Sequence, residues 1–327
     1  MLPKVELHRH LELSLRASTI KELAPLFGIE LPDESAFFDR FVIREPMRNL
    51  GDVLNKFLDT QLLLASPEIL ERIAYEACLD AYDEGVRVLE LRYAPTFVRH
   101  RHDHMDFQTI HNAFVKGAHR AEAARPIAVG FICIIQRILP AKDAEYVTDF
   151  AIENKDTFIA LDLADNEEGF DSKPFAPFFA RAKSAGLGIT VHAGEVNLPT
   201  APGYVKDAID YLGATRIGHG VQIYRDPKMI EYVRERNVVL ELCPTSNFLT
   251  QAVHGQLSNL PYRQLFDAGV RVTFNTDDPG IFATNLVREY EILQRNLGFT
   301  PDELAQCNET AVKASFISRE KIAKVWL

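Results

Sequence analysis

Eight short runs rich in Val, Ile, Leu, Thr and Phe recur from one end of the chain to the other. They read "KVELHRH", "VRVLELRYAP", "IAVGFICII", "FIALDLAD", "GITVHAGE", "TRIGHG", "VVLELCPTSN" and "VRVTFNTDDP". The stretches between them carry apolar residues at helical spacing. In "EILERIAYEACLDAYDEG", Ile69, Ile73, Ala77 and Leu79 to Ala81 recur on that period and Gly85 supplies the stop. Strands that alternate with helices must pair in parallel, because each helix carries the chain back to the edge where it began. Eight such units in 327 residues predict an α/β fold of the TIM (β/α)8 barrel type, with its chemistry at the C-terminal mouth. A doubly wound open sheet is the competing architecture. It needs a GxGxxG turn after its first strand, and "GLGIT" at Gly186 to Thr190 leads into a strand instead of opening a helix. The segment from about Ala17 to Glu84 is too long for one helix. Several helices are expected there as a lid-like insert over the mouth of a single domain spanning 1–327.

Charge narrows the partners. Lys plus Arg number 36 against 46 Asp plus Glu, a net charge of -10 that repels a polyphosphate backbone, so a nucleic-acid polymer is not the expected partner and a small molecule is. The 47% hydrophobic content is spread along the chain, no run is long enough to cross a bilayer, and "MLPKVELHRH" has no apolar leader. A cytoplasmic protein without a membrane partner is the expectation. Cys78, Cys133, Cys243 and Cys307 form no CxxC and are read as buried free thiols.

In a barrel the informative positions are the strand ends. On the first strand Glu6, His8 and His10 share a face because side chains alternate, so two imidazoles meet there. Such a pair alone also fits a solvated strand end. The fifth run ends in His192 and Glu195, the sixth in His219, and the eighth in Asp277 and Asp278. Each has an ordinary explanation: a satisfied core histidine for His192, plain turn chemistry for "TDDPG". Those explanations would have to hold at four strand ends together. A set of three His and one Asp suits Zn²⁺, and Fe²⁺ or Mn²⁺ could occupy a similar one. Such an ion acidifies a bound water towards neutrality and so provides a hydroxide nucleophile. With four ligands found elsewhere, Glu195 is free to carry protons, and His219 and Asp278 are available to orient the water and accept from it.

The motifs "PKVELHRHLELSLR", "TVHAGE", "RIGHG", "CPTSN" and "NTDDPGIF" resemble, in this order, those of the adenosine deaminase family, and they run from Pro3 to Phe282. The resemblance implies an amidohydrolase-type barrel with one Zn²⁺ per chain held by His8, His10, His192 and Asp277. It implies that Glu195 protonates purine N1, that His219 acts as base and electrostatic support for the attacking hydroxide, and that Asp278 bonds N7 and the water. The implied reaction is hydrolytic deamination of a 6-aminopurine nucleoside, first of all adenosine to inosine plus ammonia. Alternatives are a 5'-modified adenosine of the aminodeoxyfutalosine or methylthioadenosine type, an N6-substituted adenine nucleotide, or adenine. A non-catalytic nucleoside-binding relative would be favoured had Glu195 or a metal ligand been lost, and all are present.

The chain departs from the family's pattern where substrate is held. Glu12 and Leu13 stand where Asp-Gly commonly meets the ribose 5'-hydroxyl. Ala164, Asp165, Asn166 and Glu167 replace Ala-Gly-Asp-Glu, whose glycine amide reaches purine N3. Glu12, Asp165 and Asp278 are therefore the substrate-binding candidates. A carboxylate at Asp165 must be protonated or turn to another donor to avoid repelling N3. Two further signals are read as structural. His100, His102 and His104 in "VRHRHDHM" alternate with Arg99 and Arg101, which repel a cation; a solvated loop near the mouth fits better, its arginines free to meet an anionic substituent. In "CPTSN", Cys243 and Ser246 have no base assigned beside them, so a packing or loop-shaping role is expected.

Overall fold

The computed structural model describes residues 3–47 and 50–326. Each of the eight apolar runs forms a strand: β1 Lys4–His10, β2 Val86–Tyr93, β3 Ala128–Gln136, β4 Phe158–Ala164, β5 Gly188–Ala193, β6 Arg216–His219, β7 Val239–Leu242 and β8 Arg271–Phe274. They lie in sequential order and every adjacent pair is parallel. The ring closes through the chain that follows β8. Arg9 and Asp277 form an isolated parallel bridge, His10 N–H donates to the Asp277 carbonyl at 2.8 Å, and Asp277 N–H donates to the His8 carbonyl at 3.0 Å. Closure therefore seats Asp277 beside His8 and His10. Eight parallel strands in sequential order, closed on themselves with helices between them, make a TIM barrel.

The shell between strands and helices is apolar, whereas the barrel interior is charged. Arg92 on β2 pairs with Asp162 on β4 at 2.8 Å and with Glu241 on β7 at 2.7 Å; Arg216 on β6 pairs with Glu90 on β2 at 2.7 Å. Strands that are not neighbours can meet in this way only across a closed interior. Barrels commonly fill that space with layers of branched apolar residues. Here buried ion pairs replace one layer, each charge matched by an opposite one as burial requires. The chain after the helix Pro301–Ala314 plugs the bottom, where Phe316 lies 4.0 Å beneath the Arg216 guanidinium and Ser315 donates to Glu90 at 2.7 Å.

In the span 17–84, part of which (48 and 49) lies outside the described residues, two helices have different tasks. Pro67–Asp83, capped by the Ser66 side chain, packs on β2 and on the helix Phe107–Ala124 as an ordinary barrel helix. Leu50–Gln61 instead crosses the mouth, where Val53 and Phe57 pack against Leu13, Ile43, Leu249, Ile281 and Phe282 from the loops after β1, β7 and β8. Among the described residues no helix is long and apolar enough to cross a membrane. All four cysteines are buried and free.

Candidate active site

Four side chains from three walls of the mouth converge on one point. His8 Nε2 lies 3.1 Å and His10 Nε2 3.3 Å from Asp277 Oδ1, and His10 Nε2 is 3.2 Å from His192 Nε2. One donor atom from each of the four falls within 4.8 Å of every other. Gly218 makes this possible. A Cβ there would stand 2.9 Å from the His8 ring, so only glycine between His192 and His8 leaves room for the imidazole. His219 and Asp277 both have positive φ, 61° and 65°, a backbone region that His and Asp enter more readily than most residues and that collects at functional sites.

Two of these imidazoles are held from behind by carboxylates. His8 Nδ1 is 2.9 Å from Glu241 Oε2, and His192 Nδ1 is 3.0 Å from Asp162 Oδ2. With Nδ1 donating, each Nε2 is left as a lone pair turned to the centre, the arrangement that orients histidine for a metal. Arg92 ties the two carboxylates together and also donates to the Leu7 carbonyl at 2.7 Å. Glu241, buried as it is, is held well below the usual carboxylate range by Arg92 and Arg216. Burial pushes His10 down to about 4 and lowers His192, so both present neutral nitrogens.

The three residues assigned to proton work surround that centre. Glu195 Oε2 lies 3.6 Å from His219 Nε2, which is 3.9 Å from Asp277 Oδ2. The turn bearing Glu195 is pinned by Glu167, whose carboxylate accepts from the N–H groups of Gly194, Glu195 and Val196 at 2.9, 2.6 and 2.6 Å. Burial raises Glu195 far above the ordinary carboxylate range, and the negative charges of Asp277 and Glu167 raise it further. Asp278 is raised in the same way, by burial and then by Asp277 and Glu12. Asp277 stays well below the usual range despite its burial, because His8 and His10 face it. Adjacent carboxyls are thus split into a permanent anion and two proton holders, the division that acid–base chemistry at neutral pH requires.

A small cleft of about 60 Å³, lined by His10, His192 and Asp277, shares His10, Leu54, Phe57, Ala164 and Asp165 with a larger chamber of about 550 Å³. Glu12, Gln136 and Asn166 are its other polar walls, and Leu54, Phe57, Leu58, Phe97, Ile134 and Ile138 make most of the remainder. Glu12 is buried. Its Oε1 accepts from Ala94 N–H at 2.9 Å, its Oε2 has no hydrogen-bond partner among the described residues, and burial pushes it up to about 8. Asp165 keeps a glycine-like backbone, φ 82°, but swings its carboxylate aside to accept from Gln136 Nε2 at 2.9 Å and Asn166 N–H at 2.7 Å. Of the two sequence alternatives for Asp165, turning to another donor is the one observed.

The "VRHRHDHM" loop departs from the solvated reading at one residue. His102 is buried and bonds the Gln61 carbonyl at 3.1 Å, and His104 bonds the Ala65 carbonyl at 2.9 Å, so the loop's histidines brace the end of the helix Leu50–Gln61. Neither Arg99 nor Arg101 lines the chamber. Cys243 is pushed far above the ordinary thiol range by burial, as an inert packing residue is.

Sequence reasoning missed Asp162, Glu241, Arg92 and Glu167. A signal for the first three existed: each is a charge inside a strand, Asp162 and Glu241 in otherwise apolar ones and Arg92 two residues after Glu90 on the same face, and such residues are fully buried only when paired. The comparisons agree with the geometry. A sequence profile described as adenosine deaminase matches residues 3–326. The adenosine deaminase of Plasmodium knowlesi is 35% identical over 99% of this chain and 90% of its own length. Among solved structures, adenine deaminase from Arthrobacter aurescens superposes with a TM-score of 0.89 at 26% identity, covering 100% of this chain and 97% of that one. An amidohydrolase from Burkholderia ambifaria with bound Zn gives 0.87 at 27% identity, covering 98% and 88%. A profile that spans the described chain, on a barrel whose mouth gathers three histidines and an aspartate beside two carboxyls raised by burial, establishes that the chain belongs to the adenosine deaminase family and is a hydrolytic aminopurine deaminase.

Proposed function

We propose that this chain, over 1–327, is a single zinc-dependent deaminase domain that converts a 6-aminopurine nucleoside, first of all adenosine, to the 6-oxo nucleoside and ammonia, and that it holds the 5' group loosely. One observation carries the reading: a four-ligand nest opens, past a buried neutral acid, into a chamber with no Lys or Arg among its described lining residues. The nest fits a metal. His8, His10, His192 and Asp277 turn one donor atom each to a common point, and the donor set of three imidazoles and one carboxylate is the type zinc takes. His8, His10, His192 and Asp277 would hold the ion, which when bound supplies a water acidified towards neutrality.

The chain's own groups account for the rest. Glu195, protonated at neutral pH, delivers its proton to N1 as C6 is attacked, which makes the ring a better electrophile. Asp278, also protonated, donates to N7 and fixes the ring plane. The backbone of Asp165 keeps the conformation of the glycine it replaces, which leaves the N3 edge clear of its carboxylate. Glu12 offers the sugar a neutral carboxyl with one oxygen unclaimed. The helix Leu50–Gln61 serves as the lid and keeps bulk water from the reacting centre through Val53, Leu54 and Phe57.

The chamber argues against two alternatives. A nucleotide phosphate would be desolvated there with no described cation to meet it, beside Glu12 and Asp165. Adenine alone, the substrate in the name of the Arthrobacter neighbour, would leave most of about 550 Å³ unfilled. The test is kcat/KM for adenosine, 5'-deoxyadenosine, 5'-methylthioadenosine, AMP and adenine on wild type and Glu12→Ala. Adenosine and the two 5'-modified nucleosides should agree within about tenfold, the scale of one modest contact, with AMP and adenine far lower. Adenine as the best substrate would overturn the nucleoside reading. A large loss with 5'-deoxyadenosine that vanishes in Glu12→Ala would show strict 5'-hydroxyl recognition.

A further inference from the structure

His219 ends β6 with its Nε2 facing Glu195 and Asp277, and its other nitrogen faces a group that the catalytic account does not use. Asn247, on the helix Pro244–Leu249, places Nδ2 3.0 Å from His219 Nδ1. Tyr262, at the start of the helix Tyr262–Asp267, places its hydroxyl 2.7 Å from Asn247 Oδ1. All three side chains are buried.

The direction of this relay follows from counting protons. Asn247 is the one hydrogen-bond partner of the Tyr262 hydroxyl among the described residues. A buried O–H left without an acceptor is costly, so the phenol must donate and the amide oxygen must be the atom that faces it. The amide NH₂ then faces His219 Nδ1. That nitrogen has to be the acceptor, since a proton on it would set N–H against N–H. We infer that Asn247 and Tyr262 are positioning residues that fix His219 as the Nε2–H tautomer, so that it presents a proton to the reacting centre instead of a lone pair.

The consequence alters the role suggested by sequence. His219 cannot take a proton at Nε2, which already bears one, nor at Nδ1 while Asn247 donates there. It acts as a fixed hydrogen-bond donor between Glu195 and Asp277, and the proton released by the water passes to the Glu195 carboxylate, freed when that group gives its own proton to N1, and from there to the departing amine. His219 and Gly220 both have positive φ, 61° and 68°, so β6 ends in a sharp turn at the residue that carries the ring.

This inference rests on the deaminase reading for its consequence but not for its hydrogen-bond content, and the experiment keeps the two apart. The zinc-loaded and metal-free proteins, labelled with ¹⁵N-histidine, are compared with His219→Gln to assign the ring nitrogens by NMR. The wild type should show an unprotonated Nδ1 and a protonated Nε2 for His219 in both forms. A proton on Nδ1 would overturn the inference whether or not the protein deaminates anything. Asn247→Asp keeps the shape and replaces the donor with an acceptor, so it should draw a proton onto Nδ1. Because a misassigned catalytic tautomer in other enzymes costs orders of magnitude in kcat, we expect a loss of about tenfold or more here, with KM within about threefold and zinc content unchanged. An unchanged kcat with Nδ1 protonated would also overturn it. Should Asn247→Asp fail to fold, the wild-type spectrum and Tyr262→Phe, which frees the amide to rotate and should populate both tautomers, still decide the matter.

Discussion

Replacing Glu241 with Gln tests whether the charged barrel interior exists to serve the ligand nest. Its carboxylate meets four donors: His8 Nδ1 at 2.9 Å and Arg92 at 2.7 Å on one oxygen, Arg216 at 2.6 Å and Thr190 at 3.0 Å on the other. A glutamine amide supplies one oxygen and one NH₂, so at least one guanidinium, that of Arg92 or that of Arg216, must face a donor. Arg92 keeps Asp162 and Arg216 keeps Glu90, which limits the damage, yet a buried network has lost its central anion. Breaking a buried ion pair in this way costs about 3–5 kcal/mol. Loss of the outer partner of a histidine ligand weakens metal binding by about 10–100-fold, equivalent to about 1.4–2.7 kcal/mol. Urea unfolding of zinc-stripped and zinc-loaded protein separates these quantities. The stripped variant should lose the first amount, and the stability gap between loaded and stripped forms should shrink by the second. If the stripped form is destabilised and the gap is unchanged, Glu241 is a structural ion pair with no bearing on the nest, and the reasoning fails.

Other consequences can be checked independently. Glu195→Gln should retain its metal and lose about 10²-fold or more in kcat, as removal of a general acid does; a parallel loss of metal would redraw Glu195 as a ligand. Burial pushes His111 down to about 4, so between that value and its unfolded pKa of about 6.5 the folded chain binds fewer protons than the unfolded one. Stability should therefore fall as pH drops through this window, by up to roughly 3 kcal/mol, and His111→Gln should flatten that part of the curve; an identical slope in the variant would refute the assignment. Gly218→Ala brings a Cβ to 2.9 Å from the His8 ring, and zinc affinity measured against a chelator should drop by an order of magnitude or more while the fold, followed by circular dichroism, persists.

What is legible in the sequence divides along a physical line. The strands were legible because each is a short run of β-branched and apolar residues closed by a polar strand end, and in a barrel that end is where function gathers. His8, His10, His192 and Asp277 were found by that rule together with the family resemblance, and they meet. Asp162, Glu241 and Arg92 act across the interior, and no local pattern tells which mid-strand charges will face one another. The Tyr262–Asn247–His219 relay joins three separate segments and leaves no spacing to detect. Asp165 was legible as a departure, but its resolution depended on Gln136, which comes from the neighbouring strand. His102 looked like loop chemistry and is a buried brace, because its partner is a backbone carbonyl of a helix far away in sequence.

Whether this nest holds one zinc on which deamination depends is decided by metal analysis paired with inosine and ammonia release on the same samples. Protein stripped by chelation and titrated with zinc should regain adenosine deamination in proportion to metal, levelling at about one ion per chain as a single four-ligand site requires. Asp277→Ala should bind little zinc and remain inactive throughout. Full activity in metal-free Asp277→Ala protein would contradict the account.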